Sequence, residues 1–248
     1  MKISIITVVF NGENTVRETI ESVLSQDYPS IEYIVIDGDS SDTTKEIVSS
    51  FGNQIHQFVS EADQGIYDAM NKGISLATGD IIGFLNADDL FNSNKIVSRI
   101  AEEFKKIEVD GLYGDLIYVS NKNSDRIHRN WNAGKFQSND FLWGWMPPHP
   151  TFYLKKQWYI QFGGFRLDMK TAADYELMLR MIHKNNAKLA YIQKIMVRMR
   201  TGGASNATLK NRLIANKNDR KAWKVNDIAP YWFTTTLKPL RKILQFFS

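Results

Sequence analysis

The chain has 248 residues, of which 43% are hydrophobic, 12% aromatic and 23% charged, a composition that suits one globular domain with a sizeable core. It has no cysteine, which excludes a disulfide framework, a thiolate metal centre and a cysteine nucleophile and leaves a cytoplasmic setting as the default. The formal charge is +4, yet residues 205–248 carry nine Lys or Arg against two Asp, a net of +7, which leaves −3 for residues 1–204. Met1-Lys2-Ile3 runs directly into a strand-like segment, without a charged leader, a long apolar core or a cleavage site. No apolar stretch approaches membrane-spanning length, so neither a secretion signal nor a transmembrane helix is expected.

Ile3 to Val9 reads as a buried strand. Thr15 and Glu18 then form a capping box ahead of the stripe Val16, Ile20, Val23 and Leu24, so a helix follows. Tyr33 to Ile36 is a second strand, followed by the turn-rich segment Asp37 to Asp42 and a short helix through Ile47 and Val48. Ile55 to Val59 supplies a third strand, Ile66, Met70, Ile74 and Ala77 a helical face, and Ile81 to Leu85 a fourth strand. Strands alternating with helices imply a mainly parallel sheet covered on both faces. A helix bearing Ile96, Ile100, Phe104 and Ile107 leads into a strand over Leu112 to Val119. Asn121 to Asn139 is a polar hairpin or loop, and the Pro-rich, aromatic stretch Trp143 to Pro150 is no helix. A strand at Thr151 to Leu154 and a helix from about Ala172 to His183 complete the pattern.

The segment Gly83-Phe84-Leu85-Asn86-Ala87-Asp88-Asp89 is an apolar run ending in two carboxylates. Ligands on open α/β sheets gather at the carboxyl ends of the strands, and oxygen donors there suit Mg²⁺ or Mn²⁺. The alternative is that Asp88 or Asp89 caps the next helix. No Gly-x-Gly-x-x-Gly or P-loop follows the first strand, where the turn is Phe10-Asn11-Gly12-Glu13. Phe10 either packs in the core or stacks on a base, and Asp37 either organises a turn or accepts hydrogen bonds from a nucleoside. Asp174, in Thr171-Ala172-Ala173-Asp174-Tyr175-Glu176, lies at a helix start, as an N-cap or as a second carboxylate function. Group transfer from a phosphorylated donor needs two such functions, one at the leaving diphosphate and one to deprotonate the incoming hydroxyl.

Ile5 to Asn11, Val35 to Thr43, Asn71-Lys72-Gly73, Ala77 to Asp80, Phe84 to Asp89 and Ala173 to Glu176 occur in that order. Together, over roughly residues 1–205, they resemble the family 2 inverting glycosyltransferases of the GT-A fold. The stretch from Ser60 to Gly73 further resembles bacterial members that build surface polysaccharides. The resemblance implies a GT-A domain over 1–205 and a basic, aromatic-rich helical tail over 206–248. It also implies transfer of a hexose or N-acetylhexosamine from a nucleotide-diphosphate sugar, usually a UDP-sugar, to a saccharide acceptor. Phe10 would pack on the nucleobase, Asp37 would recognise it, and Glu13, Asp63 and Lys72 would lie near the nucleotide and diphosphate. Asp88 would hold Mn²⁺ or Mg²⁺ between the donor phosphates, and Asp174 would be the general base. Asn86 and Ala173 replace acids common in the family, which leaves a catalytically inactive nucleotide-sugar-binding protein as the alternative.

His149 lies before a late strand, where it is structural or joins the metal or acceptor pocket, and Trp143 and Trp145 beside it stack on an acceptor sugar or pack in the core or a lid. Arg198 to Ser205 reads as a mobile loop whose Arg200 suits diphosphate oxygens, or as a solvated basic turn. The tail interleaves Lys238, Arg241 and Lys242 with Trp223, Tyr231, Trp232, Phe233, Leu237, Leu240, Ile243, Leu244, Phe246 and Phe247. That composition suits an anionic membrane surface, which would fit a polyprenyl-diphosphate-linked acceptor at the cytoplasmic face, or packing on the protein's own body or on a second copy. No nucleic-acid module is visible.

Overall fold

The computed structural model of the chain describes residues 1–121, 123–201 and 209–238, and the side chains among these except at 209–215. Nine strands form one sheet: β1 (Ile3–Val9), β2 (Ile31–Asp37), β3 (Gln57–Ser60), β4 (Ile81–Phe84), β5 (Leu90–Phe91), β6 (Gly111–Val119), β7 (Ile127–Trp131), β8 (Tyr153–Lys155) and β9 (Leu189–Arg200). Their order is β3-β2-β1-β4-β8-β6-β9-β5, with β7 paired to β6. The first four strands run parallel, β8 is antiparallel to both β4 and β6, and β9 lies parallel to β6. The carboxyl ends of β1, β2, β3, β4 and β9 therefore share one edge. Every residue of β1 and β4 is buried, as expected of parallel strands covered on both faces.

The helices α1 (Val16–Leu24), α2 (Thr44–Ser49), α3 (Ile66–Leu76) and α4 (Ile96–Lys106) join the strands of the first half. One core on one face of the sheet includes Val16, Ile20, Val97 and Ile100, and a second on the other includes Met70, Phe152, Phe165 and Met178. Ile66 and Ile107, expected on apolar helical faces, are about half exposed because each lies at a helix end. The capping box expected at Thr15 and Glu18 does not form. The Thr15 hydroxyl makes no cap bond, and Glu18 instead pairs with Arg200 across the sheet edge. The helix expected from about Ala172 is α6 (Ala173–Met178), which continues through a π-helical turn over Leu179–Lys184. A short helix α5 (Lys156–Phe162) was not anticipated.

One expectation near the C-terminus is corrected. Arg198 and Arg200 end strand β9 rather than occupying a loop, while residues 202–205 lie outside the described residues. The described part of the basic tail packs on the body of the protein, one of the alternatives its sequence left open. Helix α7 (Leu209–Val225) buries Ala222 and Trp223 completely, and the Trp223 Nε1 donates to the Tyr175 hydroxyl at 2.9 Å. Asn226 donates to Glu176, which is fully buried and paired with Arg180 at 2.9 Å. Lys238 pairs with Asp219 and lies 3.7 Å from the centre of the Tyr175 ring. This segment thus braces α6. Truncation of Trp223 to Ala is expected to cost about 3–5 kcal/mol of folding stability, measured by urea unfolding; a loss below 1 kcal/mol would mean that the tail does not belong to this core. Leu240, Arg241, Lys242, Ile243, Leu244, Phe246 and Phe247 lie outside the described residues.

Candidate active site

Four loops line the carboxyl edge of the parallel strands. After β1, Asn11 turns with φ of +50°, and after β2, Asp39 turns with φ of +64°, left-handed positions that Asn and Asp tolerate better than most residues. The two turns are laced together. Asn11 N–H donates to the Ser40 hydroxyl at 2.8 Å, Gly12 N–H to the Thr44 hydroxyl at 2.9 Å, and Ser41 N–H to the Asn11 side chain at 2.9 Å. Glu13 accepts from both the N–H and the hydroxyl of Thr43 through one carboxylate oxygen. Phe10 stands beside these turns with 66% of its surface exposed; it does not pack in the core, and its ring is open to a stacking partner.

Asp37 is fully buried. It accepts from the Ser40 hydroxyl, from Ser40 N–H at 3.0 Å and from the Ser60 hydroxyl at 2.7 Å. This is turn organisation rather than an open edge for a base. Asp63, after β3, accepts from Gly65 N–H at 2.7 Å and lies over Gly38. Lys72 on α3 reaches back to the same loop, bonding the Ala62 carbonyl and pairing with Glu61, each at 2.9 Å. It secures the loop through these two contacts.

The loop after β4 carries Asn86, Asp88 and Asp89. Neither aspartate caps α4, because β5 intervenes and the residue preceding that helix is Lys95. Asp88 is partly buried, and desolvation raises its carboxyl above the usual range against the opposing pull of Arg200. Asp89 is wholly buried and pushed well above that range, by desolvation first and by Asp88 second. Arg200 donates to the Asp88 carbonyl at 2.9 Å and pairs with Glu18 while itself only 5% exposed. Three polar atoms of this cluster are buried without a partner: Asn86 Oδ1, Asp89 Oδ1 and Arg200 Nε. Orphaned buried polar atoms are rare, and each calls for an explanation. Two hard oxygen acceptors and a carboxylate beside a guanidinium fit a divalent cation together with an anionic ligand. Among the described residues no three His, Asp or Glu side chains converge as a metal cage. An ion such as Mg²⁺ needs no such cage, since it is commonly held by one or two carboxylates, substrate phosphates and water.

Asp174 is the second residue of α6 and makes no cap bond. Its Oδ1 accepts from the Tyr67 hydroxyl of α3 at 3.3 Å. An aromatic group joins this carboxylate to the β4 loop. Phe165 packs on Tyr67 at 5.3 Å and on Phe84 at 5.4 Å, and His149 stacks on Phe84 at 6.2 Å and meets Phe165 edge-on at 6.1 Å. Burial lowers the His149 pKa while the charge of Asp174 opposes it. Phe165 is itself fixed by Asn71, whose side chain exchanges two hydrogen bonds with its backbone at 2.9 and 2.8 Å.

The two tryptophans part company. Trp145 is buried, its Nε1 donating to the Ala133 carbonyl at 2.7 Å, with Tyr113, Phe136 and Phe141 around it. It is a core residue and offers no surface to an acceptor sugar. Trp143 is 52% exposed and packs on Tyr231 and Phe233. Sequence reasoning gave no role to Tyr67 or Phe165. Tyr67 belongs to a motif that was visible, but nothing in the sequence announces its contact with Asp174, 107 positions later.

The family model for glycosyl transferase family 2 matches residues 4–169. The chain is 34% identical over 184 residues to an uncharacterized glycosyltransferase of Mycobacterium tuberculosis, covering 72% of this chain and 68% of that protein. It is 26% identical over 216 residues to a PGL/p-HBAD biosynthesis glycosyltransferase of Mycobacterium bovis, covering 85% and 82%. Among solved structures it resembles Staphylococcus aureus TarS in complex with UDP-GlcNAc, with a TM-score of 0.68 and 19% identity over 91% of this chain and 70% of that one. It also resembles the mannosyltransferase PcManGT of Pyrobaculum calidifontis in complex with GDP-Man and Mn²⁺, with a TM-score of 0.65 and 17% identity over 95% and 68%. The sheet order, the loops at its carboxyl edge and these likenesses agree: the chain is a glycosyltransferase of family 2 with the GT-A fold.

Proposed function

We propose that the chain moves a hexose or N-acetylhexosamine from a UDP-sugar to a hydroxyl of a saccharide acceptor, with inversion, in the synthesis of a bacterial surface polysaccharide. One observation carries this reading: a partly buried carboxylate, Asp174, and the Asn86–Asp89 cluster with its partnerless atoms stand on either side of one aromatic group. The Asp174 carboxylate takes the proton of the acceptor hydroxyl as that oxygen attacks the anomeric carbon, and the bond from that carbon to the diphosphate oxygen breaks. His149, kept neutral by its surroundings, borders this space without adding a positive charge that would compete for the carboxylate. Arg200 Nε, buried beside Asp88, meets the negative charge of the diphosphate. Asp88 would hold Mn²⁺ or Mg²⁺, with Asn86 and Asp89 as further oxygen donors, and the ion when bound neutralises the departing diphosphate. The mannosyltransferase bound to GDP-Man and Mn²⁺ and TarS bound to UDP-GlcNAc support the donor class.

The acceptor reading takes support from the surface near Trp143. Trp232 is 88% exposed and Tyr231 48% exposed, and both pack on Phe233. Lys217, Arg220 and Lys224 are exposed at spacings that put them along one side of α7. Aromatic rings beside a basic stripe suit an anionic membrane surface, where a polyprenyl-diphosphate-linked acceptor is displayed. Among the described residues no helix is long and apolar enough to cross a membrane, so the contact proposed is peripheral, on the cytoplasmic face.

The test is release of nucleoside diphosphate from a panel of nucleotide sugars, with bacterial lipid extract as the acceptor source, with Mn²⁺ and with chelator. Metal-dependent turnover of one UDP-sugar supports the reading. Donor binding without turnover against any extract would favour the inactive alternative suggested by Asn86 and Ala173. Within the same assay, Tyr67→Phe is expected to lower kcat about 5- to 10-fold with the donor KM unchanged, the value of one ordinary hydrogen bond of about 1 kcal/mol. An unchanged kcat would remove Tyr67 from the site.

A further inference from the structure

Helix α7 and the segment that follows it border a hollow of about 330 Å³, lined by Arg220, Pro230, Tyr231, Trp232 and Thr235. None of these residues belongs to the site at the carboxyl edge of the sheet. The walls are held from several sides. Asn216 donates to the Thr235 carbonyl and the Thr234 hydroxyl donates to the Leu142 carbonyl, each at 2.7 Å. Phe233 packs on the Tyr231 ring at 5.2 Å and on the Trp232 ring at 5.5 Å. Arg220 donates through Nε to the Thr235 hydroxyl at 3.0 Å, its one hydrogen bond among the described residues. That bond orients the guanidinium, while its two Nη groups bond none of the described residues. No described carboxylate pairs with Arg220, because its neighbour Asp219 is taken by Lys238. Lys217 and Lys224 flank it on the same side of α7, and both are exposed.

We propose that this hollow is a binding site for the phosphodiester of an anionic bilayer phospholipid: Arg220 and the Thr235 hydroxyl hold the phosphate oxygens while Trp232 and Tyr231 enter the interface beside them. This rests on the peripheral-membrane reading of the tail, to which it adds a defined site. A guanidinium fixed in one plane offers its remaining N–H donors as a fork that matches two phosphate oxygens. The Thr235 hydroxyl accepts from Nε and keeps its own proton to donate. A soluble anion would need no more than this, but Trp232 is 88% exposed and Tyr231 48% exposed at the rim, and such rings with a polar tip settle at the level of lipid headgroups. Three residues beyond Thr235 the chain continues as Pro239-Leu240-Arg241-Lys242-Ile243-Leu244, a basic and apolar sequence of interfacial composition. A phosphodiester without a headgroup cation leaves the guanidinium no competitor for the phosphate.

Arg220→Lys separates a site from a diffuse attraction of positive charge to anionic lipid. Diffuse attraction counts charges and treats the two residues alike, whereas an ammonium cannot replace a planar fork anchored on Thr235. Thr235→Val removes the hydroxyl at constant charge and nearly constant shape. The readout is co-sedimentation of the full chain with vesicles of phosphatidylcholine and phosphatidylglycerol, and with vesicles of phosphatidylcholine alone, at physiological salt, with thermal melts confirming that each variant is folded. The wild type is expected to bind the mixed vesicles and to bind phosphatidylcholine weakly. Arg220→Lys should weaken binding to the mixed vesicles about 5- to 10-fold and Thr235→Val about 3- to 5-fold, the value of hydrogen bonds to a charged group. If both folded variants bind within about twofold of wild type, the hollow is not the lipid site, and the peripheral-membrane reading stands without it. A rise in Tm with inorganic phosphate that Arg220→Lys abolishes, with vesicle binding kept, would assign the hollow to a soluble phosphate compound and overturn the lipid assignment. If the wild type binds neither kind of vesicle, the membrane reading fails and this inference with it.

Discussion

Asp174→Asn is expected to bind the donor within about twofold of wild type and to lose about 10²- to 10⁴-fold in transfer rate, the range that a positioned general base contributes. The expectation follows from shape and position. Asparagine keeps the size of the side chain and leaves an oxygen for the Tyr67 hydroxyl, which now donates to Asp174 at 3.3 Å, so α6 and its contacts stay in place. What is lost is the capacity to take a proton. Because Asp174 lies beyond the Phe84, His149 and Phe165 group from the Asn86–Asp89 loop, donor affinity measured by calorimetry should hardly change while diphosphate release falls. Equal losses in binding and in turnover would instead make Asp174 a structural or donor-binding residue.

Asp88→Asn should give the opposite signature. Removing the carboxylate from the β4 loop is expected to weaken donor binding in Mn²⁺ buffer about 10- to 100-fold, the value of a charge-assisted contact of about 1.5–3 kcal/mol. Adding chelator to the wild type should weaken donor binding to a similar degree, and the variant should show little further response to the chelator. The neighbouring Asp89 is fully buried, so as a further donor it does not make up for the loss of the Asp88 carboxylate. A variant that still responds to metal as the wild type does would place the cation elsewhere.

The first half of the sheet was legible because its physics is local. Ile3 to Val9 and Ile81 to Phe84 are continuous apolar runs of the kind that only a strand buried on both faces requires, and turn residues separate them from amphipathic helices. The positions of Asp88 and Asp174 followed from strand and helix ends in the same way. Strand β9 was missed because Arg198 and Arg200 look like loop residues until their partners are known. Arg198 bonds Asn92 and Asp125, and Arg200 bonds Asp88 and Glu18, contacts spanning 73 to 182 positions. The same contact removed Glu18 from its expected capping box. Trp143 and Trp145 share one sequence context, yet a carbonyl at Ala133 buries one and leaves the other outside. Trp223 resembled an interfacial residue until the Tyr175 hydroxyl was found beside it. Asp37 shows the same limit, since its carboxylate is buried and held in part by Ser60 from another segment. Residue type set what each group can do; long-range partners decided which ones are free to do it.

The most direct measurement is the thermal unfolding of the wild-type protein against nucleoside diphosphates and nucleotide sugars, with and without Mn²⁺ or Mg²⁺. A metal-dependent rise in Tm is expected with uridine nucleotides, larger with one UDP-sugar than with UDP, because a ligand that binds only the folded state stabilises it more the tighter it binds. A well-folded protein whose Tm responds to no nucleotide, or responds equally without metal, would contradict a metal-assisted donor site at the carboxyl edge of this sheet.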